Sequence, residues 1–119
     1  MRGSICIFVS MAPYGHVQAA EAVRHLGGAL NDCLDIFMLL KDDGVYLARD
    51  GQQDREGGWT ALSPVLARLI AKGAPVLVHT PSAHARGLLD GPPLIPGITL
   101  VDDRAVARVL DGTCAMMTF

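Results

Sequence analysis

The sequence has no excess of charge of either sign. Ten Lys and Arg stand against twelve Asp and Glu in 119 residues, for a formal net charge of −2. Nucleic-acid affinity grows from a basic face that neutralises phosphates, so this balance argues against such a partner. Long apolar runs are also missing; none is long enough to cross a bilayer, and a membrane partner is not expected. The first apolar stretch ends near Met11, and Pro13-Tyr14-Gly15 follows at once. That is unlike a secretory leader. Cysteine is sparse: Cys6, Cys33 and Cys114 form neither a disulfide framework nor a Cys-x-x-Cys site. A reducing, cytoplasmic setting is the expectation. Neither G-x-G-x-x-G nor G-x-x-x-x-G-K-[ST] occurs, which disfavours a dinucleotide, and no cofactor is expected. No carboxylate–histidine cluster demands a metal. His79 and His84 miss the i+3 or i+4 spacing of a helical metal pair.

What is present is apolar matter in alternating blocks. Hydrophobic residues make up 50% and charged residues 18%, enough for one domain over residues 1–119 with a core that needs no disulfides. Ser4 to Ser10 (SICIFVS) is apolar on both faces and β-branched, as in a strand of a parallel sheet covered by helices. A helix is expected from about His16 to Leu30, with Ala19, Val23, Leu26 and Leu30 on one face, Ala20 and Ala22 beside them, and Glu21 and Arg24 outward. Leu34 to Leu40 is a second buried strand, closed by Asp42-Asp43-Gly44, and Val45 to Ala48 is one helical turn. Asp50 to Gly58 is polar and glycine-rich, the pattern of an exposed loop.

Leu62, Val65, Leu66, Leu69 and Ile70 fit the amphipathic-helix template, with Ser63 as cap, Pro64 as first helical residue and Lys72-Gly73 as stop. Pro75 to Val78 is the third strand, and Pro81 to Leu89 a loop passing into a short helix. A linker with three prolines spans Gly91 to Gly97. Ile98 to Val101 is the fourth strand, Asp103 to Leu110 a helix capped by Asp102, and Cys114 to Phe119 the last strand. Such alternation implies an α/β fold: a three-layer sandwich with an about five-stranded, mainly parallel sheet and helices on both faces.

Ligands of open α/β sheets bind beyond the carboxyl ends of the strands. Three segments converge there: Ser10 to His16, Lys41 to Gly44 and His79 to Ser82. They bring Tyr14, Gly15, His16, Asp42, Asp43 and His79 to one rim as candidate binding residues. An imidazole at the end of a strand can move protons or hold a metal; the plainer reading is a half-buried histidine hydrogen-bonded to backbone. Asp42-Asp43 fits a cap or turn role. Cys6 reads as an inert core residue, Cys33 and Cys114 as structural unless cations or a helix N-terminus lower their pKa, and Met38, Met116 and Met117 as core filler.

Several segments, in order, resemble the DsrE/DsrF-like family, which includes the TusB, TusC and TusD sulfur-relay subunits. They are the apolar first strand followed by Ala12-Pro13-Tyr14-Gly15, then Ala19-Ala20-Glu21-Ala22-Val23-Arg24, Asp42-Asp43-Gly44-Val45-Tyr46, Gly51-Gln52, Ala85-Arg86-Gly87-Leu88 and the strand ending in Phe119. The resemblance implies a small cytoplasmic α/β sandwich that assembles as a trimer, a hexamer or with related family subunits. Active members carry persulfide sulfur on a cysteine at the end of the third strand and pass it to a sulfur-carrier protein. Aligning Arg86-Gly87 with the family's Arg-Gly sets His79 where that cysteine stands. Three functions follow as expectations. The chain is a non-catalytic or accessory subunit of a sulfur relay, a sulfur carrier that uses Cys114 or Cys33 instead, or a small-molecule or metal-binding module at the His16/His79 rim. Self-association is expected as well, because half of a small chain is hydrophobic.

Overall fold

Parallel ladders connect every neighbouring pair of strands in a computed structural model of the chain, which describes residues 4–13, 17–50, 62–91 and 93–119. Strand β1 (Ser4–Val9) leads to α1 (Gln18–Asn31) and β2 (Ile36–Leu40). A 3-10 helix (Asp42–Ala48) precedes α2 (Ser63–Ala71) and β3 (Val76–His79). Then come α3 (Thr80–Ala85), β4 (Thr99–Val101), α4 (Asp103–Asp111) and β5 (Thr113–Thr118). The sheet order is β4-β3-β2-β1-β5.

That order decides which helix covers which face. The connections from β1 to β4 all step the same way across the sheet, so right-handed crossovers put α1, α2 and α3 on one face. The step from β4 to β5 runs back across the whole sheet and puts α4 alone on the other. Packing agrees: Ala19, Val23 and Leu26 of α1, Leu66 of α2 and Ala83 of α3 share one core with Ile7, Val9, Met38, Leu40, Val76 and Val78. Cys6, Phe37, Leu39, Leu77 and Val101 form a second core under Ala105, Val106, Val109 and Leu110 of α4. β2 lies in the middle, and all five of its residues are buried, which is why its sequence is apolar without alternation.

The turn after β2 is built on close backbone approach. Lys41 donates its amide to the Val9 carbonyl at 3.1 Å. A Cβ on Gly44 would stand 2.1 Å from that same Val9 oxygen, so only glycine fits here.

Several sequence expectations need correction. Asp42-Asp43-Gly44 opens the 3-10 helix rather than closing the strand. Ser63 is the first residue of α2, not its cap; Leu62 holds that position without a side-chain bond. Ser63 is buried and its hydroxyl has no hydrogen-bond partner among the described residues. α3 begins directly after β3 instead of after a loop. Ala20 is exposed, whereas Ala22 is buried as expected and Ala29 joins it on the core face of α1. Met116 and Met117 are 47% and 36% exposed and fill no core, because none of α1 to α4 lies over the outer side of β5. The expected loop from Asp50 to Gly58 lies, after its first residue, outside the described residues.

Gly44→Ala is expected to destabilise the fold by roughly 1–3 kcal/mol, because the added methyl meets backbone that cannot swing aside. Urea unfolding with an unchanged m-value measures it, and an unshifted midpoint would contradict the close approach.

Candidate functional site at the carboxyl-end rim

The crevice of an open α/β sheet opens where neighbouring strands send their connections to opposite faces. Here that place lies between β3, which continues into α3, and β4, which continues into α4. His79 ends β3 and pairs in register with Val101, the last residue of β4. Asp102 then caps α4, its Oδ1 accepting the Ala105 amide at 2.8 Å. The cap sets Asp103 on the first turn of α4, directly over His79.

The imidazole of His79 has partners on both sides. Nδ1 lies 2.6 Å from Ser82 Oγ, and Nε2 lies 2.6 Å from Asp103 Oδ1. Ser82 Oγ also accepts the Asp42 amide at 3.0 Å. A carboxylate only accepts, so Nε2–H donates to Asp103; in the neutral ring Nδ1 then accepts the Ser82 hydroxyl proton. The chain of bonds therefore runs from the Asp42 amide to Ser82, from Ser82 to His79 and from His79 to Asp103. Asp42 has φ +52°, a left-handed conformation that aims its amide at α3. His79 is 5% exposed, whereas the Asp103 side chain is 83% exposed. The network thus reaches from solvent into the body of the fold.

Arg86 closes the other side of the rim. Its Nε donates to Asp43 Oδ1 at 3.0 Å, and a terminal nitrogen donates to the Ser82 carbonyl at 3.2 Å. One guanidinium therefore ties the 3-10 helix to α3.

Of the residues expected at the rim, His79, Asp42 and Asp43 are brought together there. Tyr14, Gly15 and His16 lie outside the described residues. Cys33 and Cys114 are exposed, but at the opposite end of the sheet. Cys33 precedes β2, and Cys114 is the extra residue at the shift in register between Ser4↔Thr113 and Ile5↔Ala115. Cys6 is buried in mid-strand, and burial pushes its thiol up to about 11. Among the described residues no group of three or more His, Cys, Asp or Glu is arranged to hold a metal. The sequence reading missed Ser82, Asp103 and Arg86 as site residues. The signal for Asp103 was present: it follows a fourth parallel strand and so must emerge at the same rim. Ser82, three residues after His79, belonged to a segment read as loop.

Ser82→Ala is expected to cost roughly 1–3 kcal/mol, since it strands a buried ring nitrogen and the Asp42 amide. Asp103→Asn is expected to cost less than about 1 kcal/mol, because water reaches that exposed side chain. Urea unfolding of both variants orders the two values, and the reverse order would refute this account of the network. The raised Cys6 pKa carries its own pH dependence. Below the ordinary thiol value of 9.0 its contribution is fully present; as pH rises from there towards about 11, the unfolded chain loses its proton first and stability falls. Cys6→Ala is expected to flatten that part of the stability–pH curve. Alkylation of the folded chain near neutral pH is expected to label Cys33 and Cys114 and spare Cys6, as read by intact mass.

The comparisons with known proteins fit this geometry. The sequence model of the DsrE/DsrF-like family matches residues 3–119. Uncharacterized protein MK0008 of Methanopyrus kandleri is 35% identical over 85 residues, covering 71% of this chain and 68% of that protein. Uncharacterized protein MJ0989 of Methanocaldococcus jannaschii is 33% identical over 82 residues, covering 69% and 70%. The crystal structure of the ychN protein from E. coli superposes with a TM-score of 0.85 at 25% identity, over 98% of this chain and 99% of that one. A match that runs from the first strand to the last residue, on a five-stranded parallel sheet of this order, makes the chain a member of the DsrE/DsrF-like family.

Proposed function

We propose that this chain is an accessory, non-catalytic subunit of an intracellular sulfur relay. The family is sulfur-relay-related, and the chain has no thiol at the strand end where the family's active members carry persulfide sulfur. One observation carries the reading. His79, which this reading sets in that place, is a buried imidazole whose two nitrogens are both engaged, by Ser82 and Asp103. An imidazole held by Ser82 and Asp103 supplies no thiolate to accept an incoming sulfur. It pins the rim instead of reacting there. In this reading the chain works by assembly, with copies of itself or related family subunits, and a sulfur-carrier protein is the partner served by the whole.

The carrier alternative, through Cys114 or Cys33, is disfavoured by position. Both thiols sit at the far end of the sheet from the rim, and neither adjoins a helix N-terminus that would favour a thiolate. The His16/His79 ligand-binding alternative has less support, because the His79 nitrogens are already engaged.

The test offers the chain a persulfide-loaded sulfur-carrier protein and reads intact mass. The wild-type chain is expected to gain no sulfur. His79→Cys, which restores a thiol at the strand end, is expected to gain one sulfur that a reducing thiol removes. Sulfur arriving on Cys114 or Cys33 of the wild type would replace the accessory reading with the carrier reading.

A further inference from the structure

The β5 edge of the sheet differs from the β4 edge in a way that points to a partner. β4 has three residues and follows a segment containing Pro93, Pro96 and Gly97. Short, proline-flanked edges resist pairing with other strands. β5 has six residues, Thr-Cys-Ala-Met-Met-Thr, with no charge among them, and all but the first are exposed. Apart from the register shift at Cys114, near its start, it has no charge, proline or inward-pointing ionic group to keep it from pairing.

Among the described residues no helix covers the faces beside β5, for the topological reason given above. Met117 shares the α1 face with Ile7, and Met116 shares the α4 face with Cys6, yet both methionines reach solvent. On the α1 face an open groove of about 370 Å³ runs between β5 and the second half of α1, lined by Ile5, Arg24, His25, Asp32, Leu34 and Met117. Its walls carry a cation, Arg24, on α1 and an anion, Asp32, at the C-cap of that helix. Arg24 already pairs with Glu21, one turn before it.

The backbone of β5 has a free side of known register. Phe119 donates its amide to the Phe8 carbonyl at 2.8 Å, and its own carbonyl accepts the Ser10 amide at 3.0 Å. Both backbone groups of Phe119 therefore face β1, and alternation along the strand turns those of Met116 and Thr118 outward.

We propose that β5 is the docking edge for a second copy of this chain, which adds its own β5 antiparallel about a two-fold axis. The inference rests on the self-association in the proposed function and names its surface. A two-fold axis at Met116 or Met117 sets the methionines of both copies together and covers them. It also lays the two α1 helices side by side and antiparallel, so that Arg24 of each copy approaches Asp32 of the other. The groove thus complements itself in sign, as an isologous interface requires. The two five-stranded sheets become one continuous sheet.

Light-scattering mass at micromolar concentration tests the surface. The wild type is expected at an even multiple of 12.6 kDa. Met116→Lys places a charge on the edge, and Met116→Pro removes an outward amide while sparing the bonds to β1; each is expected to lower the mass by half or more. Leu100→Lys, on the opposite edge, is expected to leave it unchanged. Far-UV circular dichroism confirms the fold of each variant, and Met116→Lys stands if the proline variant does not fold. In the wild type, the Met116 and Thr118 amides are expected to gain hydrogen-exchange protection as concentration rises. A wild-type chain of single mass would end both the self-association and this interface. A Met116→Lys variant that keeps the wild-type mass would leave self-association standing and overturn the β5 edge. A single-mass chain that doubles only with a related family subunit would assign the edge to that subunit and overturn the proposal.

Discussion

The buried imidazole of His79 stands at the junction of four pieces of chain. It ends β3, leads into α3, bonds through Ser82 to the start of the 3-10 helix and meets α4 through Asp103. Burying a ring with two polar nitrogens is costly unless both are satisfied. Here both are, and the surroundings must hold their positions to keep them so. The left-handed Asp42, the capped start of α4 and the Arg86 clamp on Asp43 all serve that arrangement.

The same junction sets the chemistry of the rim. A nucleophilic cysteine needs an exposed thiolate with positive potential near it. At the end of β3 the chain instead has a ring that faces inwards and uses both nitrogens. Its cysteines stand elsewhere, one sealed in mid-sheet and two at the opposite end. The rim presents carboxylates, with the Asp103 side chain largely in water.

The single reversal in the order of strands has two consequences. It opens the crevice between β3 and β4, and it leaves the outer side of β5 beyond the reach of α1 to α4. Site and unprotected edge are therefore products of one topological fact, at opposite sides of the sheet.

The sequence by itself determined the alternation of buried strands and amphipathic helices. The doubly apolar runs of β1 and β2 and the period of α2 depend only on neighbouring residues, and Asp102 caps α4 as its type and place predict. It also placed His79, Asp42 and Asp43 on one rim, since parallel strands must deliver their carboxyl ends to the same edge. Only the tertiary structure decided that Ser82 and Asp103 hold the imidazole, because those contacts join residues whose approach depends on the face to which each helix crosses. The fate of Met116 and Met117 was settled there too. Apolar residues in a strand read as core, but β5 lies outermost and the crossovers α1, α2 and α3 lie on the other side of β1, so both remain in solvent.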